Sequence, residues 1–209
     1  PEAKRTILIF DTCEFYENSA NQRQETGGGG ALYLETESVI LIKKCKFQTN
    51  KATNSLGGAI LIDSKSPSIH IVDCRFYSDI GKAGNGIVIT ENTNNVSIIN
   101  CKFLDEGTNE NVLQTKSKAI LVDECEFIFT NHQKSCRCVY IKSHCNATIR
   151  GSNFTNPSLF GKEYGAGFKY SPETGDSSNG DLLIDDCKFD FCEAYNGQSF
   201  FAEKISTPV

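Results

Sequence analysis

The chain has 209 residues, and its 21 Lys and Arg against 26 Asp and Glu give a net charge of −5 at pH 7. This length allows a sizeable hydrophobic core, and the lack of a basic excess argues against nucleic acid as a partner. No apolar run approaches the ~20 residues that span a bilayer, so we expect membrane attachment only through parts outside this sequence.

One sequence pattern occurs seven times along the chain: two apolar residues separated by one residue, a polar corner, then Cys, any residue and Phe. The copies are Cys13/Phe15, Cys45/Phe47, Cys74/Phe76, Cys101/Phe103, Cys125/Phe127, Ser152/Phe154, in which Ser replaces Cys, and Cys187/Phe189. Successive copies lie 24 (125 − 101) to 35 (187 − 152) residues apart. A repeat of this length indicates a solenoid. We therefore expect one domain over residues 1–209, excised from a longer protein because it opens at Pro1 without an initiator Met.

Each copy has the pattern of strands rather than of a helix. The residues five and three before each Cys position are apolar, and the Cys and the Phe lie on either side of a polar or charged residue. A period of two places one face inward, and the two residues before the Cys are predicted to form a corner. A second strand precedes this one within each coil and is entered through glycines, in Gly29–Leu34, Gly57–Ile62 and Gly84–Ile89; its later copies are degraded.

Two or three short strands per repeat predict an all-β fold, a right-handed parallel β-helix of about seven coils. Coils stack in register, so equivalent side chains form columns at ~4.8 Å spacing. Right-handedness follows from the usual crossover between parallel strands. A leucine-rich repeat is the competing solenoid, but its Leu-x-x-Leu-x-Leu pattern does not occur.

Two tetrapeptides alternate in phase with this repeat near the start of the chain. Gly-Gly-Ala-Leu/Ile occurs at Gly29, Gly30, Ala31, Leu32 and at Gly57, Gly58, Ala59, Ile60, and Phe-x-x-Asn occurs at Phe15/Asn18 and Phe47/Asn50. The pairing resembles the polymorphic membrane protein (Pmp) repeat of chlamydial autotransporter adhesins and of surface proteins of trichomonad protists. Later coils keep the Phe but lose the Asn. The resemblance implies a β-helix displayed on the cell surface or outer membrane, outside the cell, that attaches to host cells.

Ten cysteines allow several interpretations. The six repeat cysteines, stacked inward beside Phe, are expected to be free and to act as small buried hydrophobes, although disulfides between adjacent coils are the alternative. Cys136, Cys138 and Cys145 bracket one strand. Zinc binding by these with His132 or His144 would have irregular spacing, so a disulfide from Cys136 or Cys138 to Cys145 is favoured, given an oxidising compartment.

The asparagines of the chain raise two further questions. Asn18 and Asn50 invite a receptor-binding role through the resemblance, but an Asn at a β-helix corner satisfies turn backbone groups, and a structural role is favoured. Asn-x-Ser/Thr sequons at Asn95, Asn146 and Asn153 would accept N-linked glycans in a eukaryotic secretory setting.

The favoured function is a non-enzymatic adhesin segment that binds a host-cell surface protein or glycan through long loops at residues 22–28 and 162–180. Self-association is a further expectation. The alternative is a β-helix polysaccharide lyase or glycoside hydrolase, because fold does not fix function. Such an enzyme needs clustered acids, whereas Asp123-Glu124 and Asp185-Asp186 are separated by a coil carrying Arg150-Gly151. No catalytic residue, cofactor or metal ligand is predicted.

Overall fold

The computed structural model describes residues 6–20, 28–63, 65–90, 93–105, 111–130, 136–143, 145–159, 164–171, 180–195 and 197–202. Regular structure within these ranges is entirely β, with 23 strands and no helix. Fourteen phenylalanines, many β-branched residues and frequent polar turn residues favour strands over helices in this chain.

Each coil contributes three strands, and two of the coils add a fourth, shorter one. In chain order the strands are β1 (Ile7–Asp11), β2 (Glu14–Tyr16), β3 (Leu32–Leu34), β4 (Val39–Lys43), β5 (Lys46–Gln48), β6 (Lys51–Ala52), β7 (Ile60–Ile62), β8 (Ser68–Val72), β9 (Arg75–Tyr77), β10 (Ile80–Gly81), β11 (Gly84–Ile89), β12 (Asn95–Ile99), β13 (Lys102–Leu104), β14 (Asn111–Thr115), β15 (Ala119–Asp123), β16 (Glu126–Ile128), β17 (Arg137–Ile141), β18 (Asn146–Arg150), β19 (Asn153–Thr155), β20 (Phe168–Tyr170), β21 (Leu182–Asp185), β22 (Lys188–Asp190) and β23 (Phe200–Ala202).

These strands form three parallel sheets of seven strands each. Sheet 1 contains β1, β4, β8, β12, β15, β18 and β21; sheet 2 contains β2, β5, β9, β13, β16, β19 and β22; sheet 3 contains β3, β7, β11, β14, β17, β20 and β23. The short strands β6 and β10 pair with each other. Since the chain passes once through each sheet per turn, seven strands per sheet make seven coils. The predicted parallel β-helix is confirmed.

Equivalent residues of successive coils lie side by side, in the register that the Cys-x-Phe repeat predicts. Ile40 pairs with Ile69, and Phe47 pairs with Phe76. The seven repeat phenylalanines form one continuous stack from Phe15 to Phe189, with neighbouring ring centroids 4.6–5.0 Å apart and rings 4–11° from parallel. Together with the Ile and Val columns of sheets 1 and 3, this stack fills the interior.

The turn from sheet 1 to sheet 2 is made by a single left-handed residue directly before each repeat Cys position. These residues have φ of 47–56° and are Thr12, Lys44, Asp73, Asn100, Glu124, Gly151 and Asp186. The N–H of Lys44 still donates to the carbonyl of Val72 at 3.0 Å, so the hydrogen-bond ladder continues through the bend. The predicted two-residue corner is too long by one residue, because the residue two before the Cys still belongs to the strand.

A prediction follows for this corner. Non-glycine residues lose roughly 1–2 kcal/mol in the left-handed region, whereas glycine occupies it freely at some cost in chain entropy. We expect Lys44→Gly to raise the free energy of unfolding by about 0.5–1 kcal/mol in urea melts. Lys46→Gly, a matched change two residues later in β5, should lower it by about 0.5–1 kcal/mol. Losses of stability in both variants would contradict the left-handed assignment.

The glycines of the Gly-Gly-Ala motif are required by close packing rather than by positive φ. A Cβ on Gly30 would collide with the carbonyl oxygen of Gly58, and one on Gly58 would collide with that of Asn85. The backbone of one coil therefore lies directly against the backbone of the next at the entry to sheet 3. Leu32 and Ile60, which end the two motifs, pair with each other in that sheet and point into the core.

Candidate functional site

A surface groove of about 430 Å³ follows the corner between sheets 1 and 2 through coils 2 to 5. We call it the corner groove. Its lining residues are Lys44, Asp73, Cys74, Arg75, Asn100, Cys101, Lys102, Glu124 and Glu126. All of them occupy the repeat Cys position or the position just before or just after it, so one surface of the helix is built from three columns of the repeat.

The shape of the groove follows from the left-handed corner. One wall of the groove is formed where the chain bends, at the left-handed residues Asp73, Asn100 and Glu124. The opposite wall is formed by the first residues of the strands that follow, such as Arg75 and Lys102, which face outward. Buried Cys74 and Cys101 lie between the two walls. Concave surfaces with convergent polar groups are the usual binding sites of proteins.

Charges of both signs line the corner groove. Three bases, Lys44, Arg75 and Lys102, line it together with three acids, Asp73, Glu124 and Glu126. Lys102 Nζ lies 2.6 Å from Glu126 Oε2, and Asn100 Nδ2 donates to Asp73 Oδ1 at 2.6 Å. Two of the three acids are therefore already held by neighbouring coils.

A further ion pair lies beside the upper end of the groove. Arg150 binds Asp123 through two hydrogen bonds, Nε to Oδ1 at 2.8 Å and Nη2 to Oδ2 at 2.6 Å. This contact holds the pKa of the Asp123 carboxyl below its usual value, and it connects the Asp123-Glu124 coil to the Arg150-Gly151 coil. Arg150 lies in the coil that separates the two acidic pairs in the sequence, and it thus neutralises Asp123 directly.

The repeat thiols contact backbone carbonyls at the corner. Cys74 Sγ lies 3.3 Å from the carbonyl of Val72 and 3.6 Å from that of Ile42 in the preceding coil. Ser152, which replaces Cys in coil 6, donates from Oγ to the carbonyl of Arg150 at 3.0 Å. Burial raises the pKa of the Cys45 thiol to about 11, so this thiol stays protonated and unreactive at neutral pH.

All ten cysteines are free thiols. The disulfide expected from Cys136 or Cys138 to Cys145 is therefore not formed in this structure. β17 carries the chain about 10 Å past Cys138 before the turn that leads to Cys145, whereas a disulfide needs Cα atoms within ~7 Å. Among the described residues no group of three or more His, Cys, Asp or Glu can hold a metal ion; His132 and His144 lie outside them.

Asn18 and Asn50 lie in a column of side-chain hydrogen bonds that links coils 1 to 3. The backbone N–H and Nδ2 of Asn18 donate to Asn50 Oδ1 at 3.1 and 2.9 Å. Asn50 repeats the arrangement, its N–H and Nδ2 donating to Asp79 Oδ1 at 2.7 and 2.9 Å. Asn50 and Asp79 are fully buried, and burial raises the pKa of the Asp79 carboxyl to about 7. These contacts fit the structural role favoured for the two asparagines.

The remaining predicted positions are distributed over the surface. Asn95, Asn146 and Asn153 are exposed first residues of β12, β18 and β19, and their glycosylation stays a prediction. Of the two loops expected to contact a partner, only residues 28, 164–171 and 180 belong to the described ranges. The corner groove was not predicted from the sequence, although the charged residues beside the repeat cysteines were a signal for it.

Comparison with known families agrees with this architecture. A family model for the right-handed β-helix region matches residues 6–189, whereas no curated protein and no solved structure matches the chain. No helix in the described ranges is long and apolar enough to cross a membrane. With a family match over most of its length and three in-register parallel sheets, this chain belongs to the right-handed β-helix family.

Proposed function

We propose that this chain is a non-enzymatic segment, displayed on the cell surface or outer membrane and outside the cell, that attaches to a host-cell surface protein or glycan. The in-phase Gly-Gly-Ala and Phe-x-x-Asn motifs support the Pmp-like adhesin type within the broader β-helix family. Membrane attachment would be supplied by parts outside this sequence. The corner groove is the surface through which we expect the contact.

The observation that carries the proposal is the pairing of two of the groove's three acids. Glu126 is held by Lys102, and Asp73 by Asn100. Both contacts join neighbouring coils, so these two acids are engaged in holding the groove together. This arrangement supports a binding surface rather than an acid–base pair.

The second candidate is a polysaccharide lyase or glycoside hydrolase. It is favoured by one feature, the placement of Glu124 and Glu126 beside basic Lys102 in a concave site. Incubation with polygalacturonate and alginate, with and without Ca²⁺, separates the two functions. Release of oligosaccharides that is lost in Glu124→Gln or Glu126→Gln would establish the enzyme and overturn the adhesin.

Charge reversal in the corner groove tests the proposed attachment to host cells. Arg75→Glu places a third acid beside Asp73 and Glu124, so we expect saturable attachment of the labelled protein to host cells to weaken by about tenfold, that is by ~1.4 kcal/mol. Lys65→Glu makes the same charge change at an exposed site outside the groove and should leave attachment within twofold. Equal losses in the two variants would show that net charge, and not the groove, governs attachment.

A further inference from the structure

The outer face of sheet 3 changes character along the axis. Its central column, read from coil 1 to coil 7 through the strand register, is Tyr33, Leu61, Val88, Gln114, Tyr140, Lys169 and Phe201. Leu61, Val88 and Gln114 are buried, although they point away from the core. Tyr140, Lys169 and Phe201 are partly exposed, so the sheet offers an accessible face in coils 5 to 7.

Cations surround the aromatic rings of that face. The guanidinium of Arg137 and the ammonium groups of Lys142 and Lys169 lie 5.1, 5.0 and 5.0 Å from the centroid of the Tyr140 ring. Lys169 also lies 5.8 Å from the Phe201 ring, which stacks on Tyr164 at 4.8 Å. We call these six residues the basic–aromatic patch. Attraction between the cations and the ring faces favours these positions.

Arg137 supports this patch from the buried side of the sheet. It is buried, and its Nη1 donates to Asn111 Oδ1 at 2.7 Å. Its Nε and Nη2 donate to the carbonyls of Gly165 and Tyr164 at 3.1 and 3.0 Å. These bonds fix the segment that carries Tyr164. The exposed part of the patch is therefore two lysines and three aromatic rings on a rigid support.

The residue that directly follows the strand of sheet 3 changes its charge between the two ends of the sheet. In coils 2 to 6 the residue that follows the strand of sheet 3 donates its N–H to the preceding coil, as Asp63 does to Leu34 and Lys142 to Thr115. In coils 1 and 2 this position holds Glu35 and Asp63, and in coils 4 and 5 it holds Lys116 and Lys142. Lysines thus lie beside the patch at the position that holds acids at the other end of the sheet, and this favours an anionic ligand.

We propose that the basic–aromatic patch binds an acidic carbohydrate chain, one that carries carboxylate or sulfate groups. Aromatic rings of Tyr and Phe offer flat apolar faces for the sugar rings, and Lys142 and Lys169 bind the anionic groups. Six side chains cover far less than the ~800 Å² per partner of a stable protein interface. Two lysines are also few for nucleic acid, whose affinity comes from many phosphate contacts. This inference deepens the proposed attachment function by naming a ligand class at a second surface.

Titration calorimetry of the full chain tests the proposal with heparin as the sulfated probe, polygalacturonate as the carboxylate probe and dextran as the neutral control. We expect saturable binding of at least one acidic polymer, weakened by salt, and none of dextran. Lys142→Gln with Lys169→Gln should weaken that binding at least tenfold, and Tyr140→Leu, which keeps the apolar bulk but removes the ring, should also weaken it. Lys46→Gln with Lys65→Gln is the charge-matched control and should bind as the wild type does.

Three outcomes would overturn the inference. They are absence of saturable binding to both acidic polymers, equal losses of binding in the control pair, and tighter binding of a single-stranded oligonucleotide than of the acidic polymers. Unchanged far-UV circular dichroism and urea midpoints of the variants exclude unfolding as the cause of a loss. Because cell attachment is tested through Arg75→Glu in the corner groove, and this proposal is tested with purified polymers at the patch, failure of one leaves the other standing.

Discussion

Replacing Phe76 with Ala is expected to lower the free energy of unfolding by about 3–5 kcal/mol, the usual loss for a buried aromatic ring. Phe76 is fully buried, and its ring stacks on Phe47 at 4.8 Å and on Phe103 at 4.7 Å. The substitution therefore leaves a gap in the middle of a continuous stack. Neighbouring coils cannot close this gap without breaking their own hydrogen-bond ladders. Urea melts followed by circular dichroism measure the loss.

Lys46→Ala is the control for this experiment. Lys46 lies one position before Phe47 in β5 and points to solvent, so its loss should change stability by no more than about 0.5 kcal/mol. Comparable losses for Phe76→Ala and Lys46→Ala would contradict the inward and outward assignment of sheet 2. A loss only at Phe76 agrees with it.

The second large effect is expected at Asp79 and depends on pH. Burial raises the pKa of its carboxyl to about 7 from an ordinary value of 3.8. The folded protein thus holds this proton more tightly than the unfolded chain does. The resulting stability is fully present below about pH 4 and is lost as pH rises through 7. Asp79→Asn removes the ionisation and keeps an acceptor for Asn50, whose own side chain already makes this contact with Asn18.

Wild type and Asp79→Asn should therefore differ little at pH 4, whereas at pH 8.5 the variant should be more stable by on the order of 4 kcal/mol. Urea melts of both proteins at the two pH values give this difference. Asp63→Asn, which removes an exposed carboxyl, should shift stability by a similar small amount at both. A gap between wild type and Asp79→Asn that does not widen with pH would refute the shifted pKa.

The sequence predicts the architecture well because the repeat records the register directly. Each coil marks its own phase with a Phe, and Phe47 pairs with Phe76 as the spacing requires. Period-two alternation then fixes which side chains enter the core, and the glycines of Gly57–Gly58 mark the close approach at sheet 3. Each of these signals lies within a single coil. Once they are known, stacking the equivalent positions of successive coils gives the register.

Other features depend on contacts that one coil does not encode. Lys44 and Thr49 adopt left-handed conformations although neither belongs to the residue types that favour them; their place in the stack imposes the bend. The corner groove arises from Arg75, Lys102 and Glu124, three residues of different coils that look like ordinary surface charges when read along the chain. The disulfide that the sequence favours between Cys138 and Cys145 is not formed in the structure, and closeness of two cysteines in sequence does not imply closeness across an extended strand.

Stacking of coils that contact only their neighbours has a consequence for how such a protein changes length. A stretch from one repeat Cys to the next, such as that between Cys74 and Cys101, presents the same backbone ladder above and below. Deleting it would place Phe103 on Phe47 with the faces still matched. The molecule can therefore be shortened or extended only by whole coils, in increments of ~4.8 Å. Copy number of the repeat, rather than any single residue, sets how far one end of the molecule is held from the other.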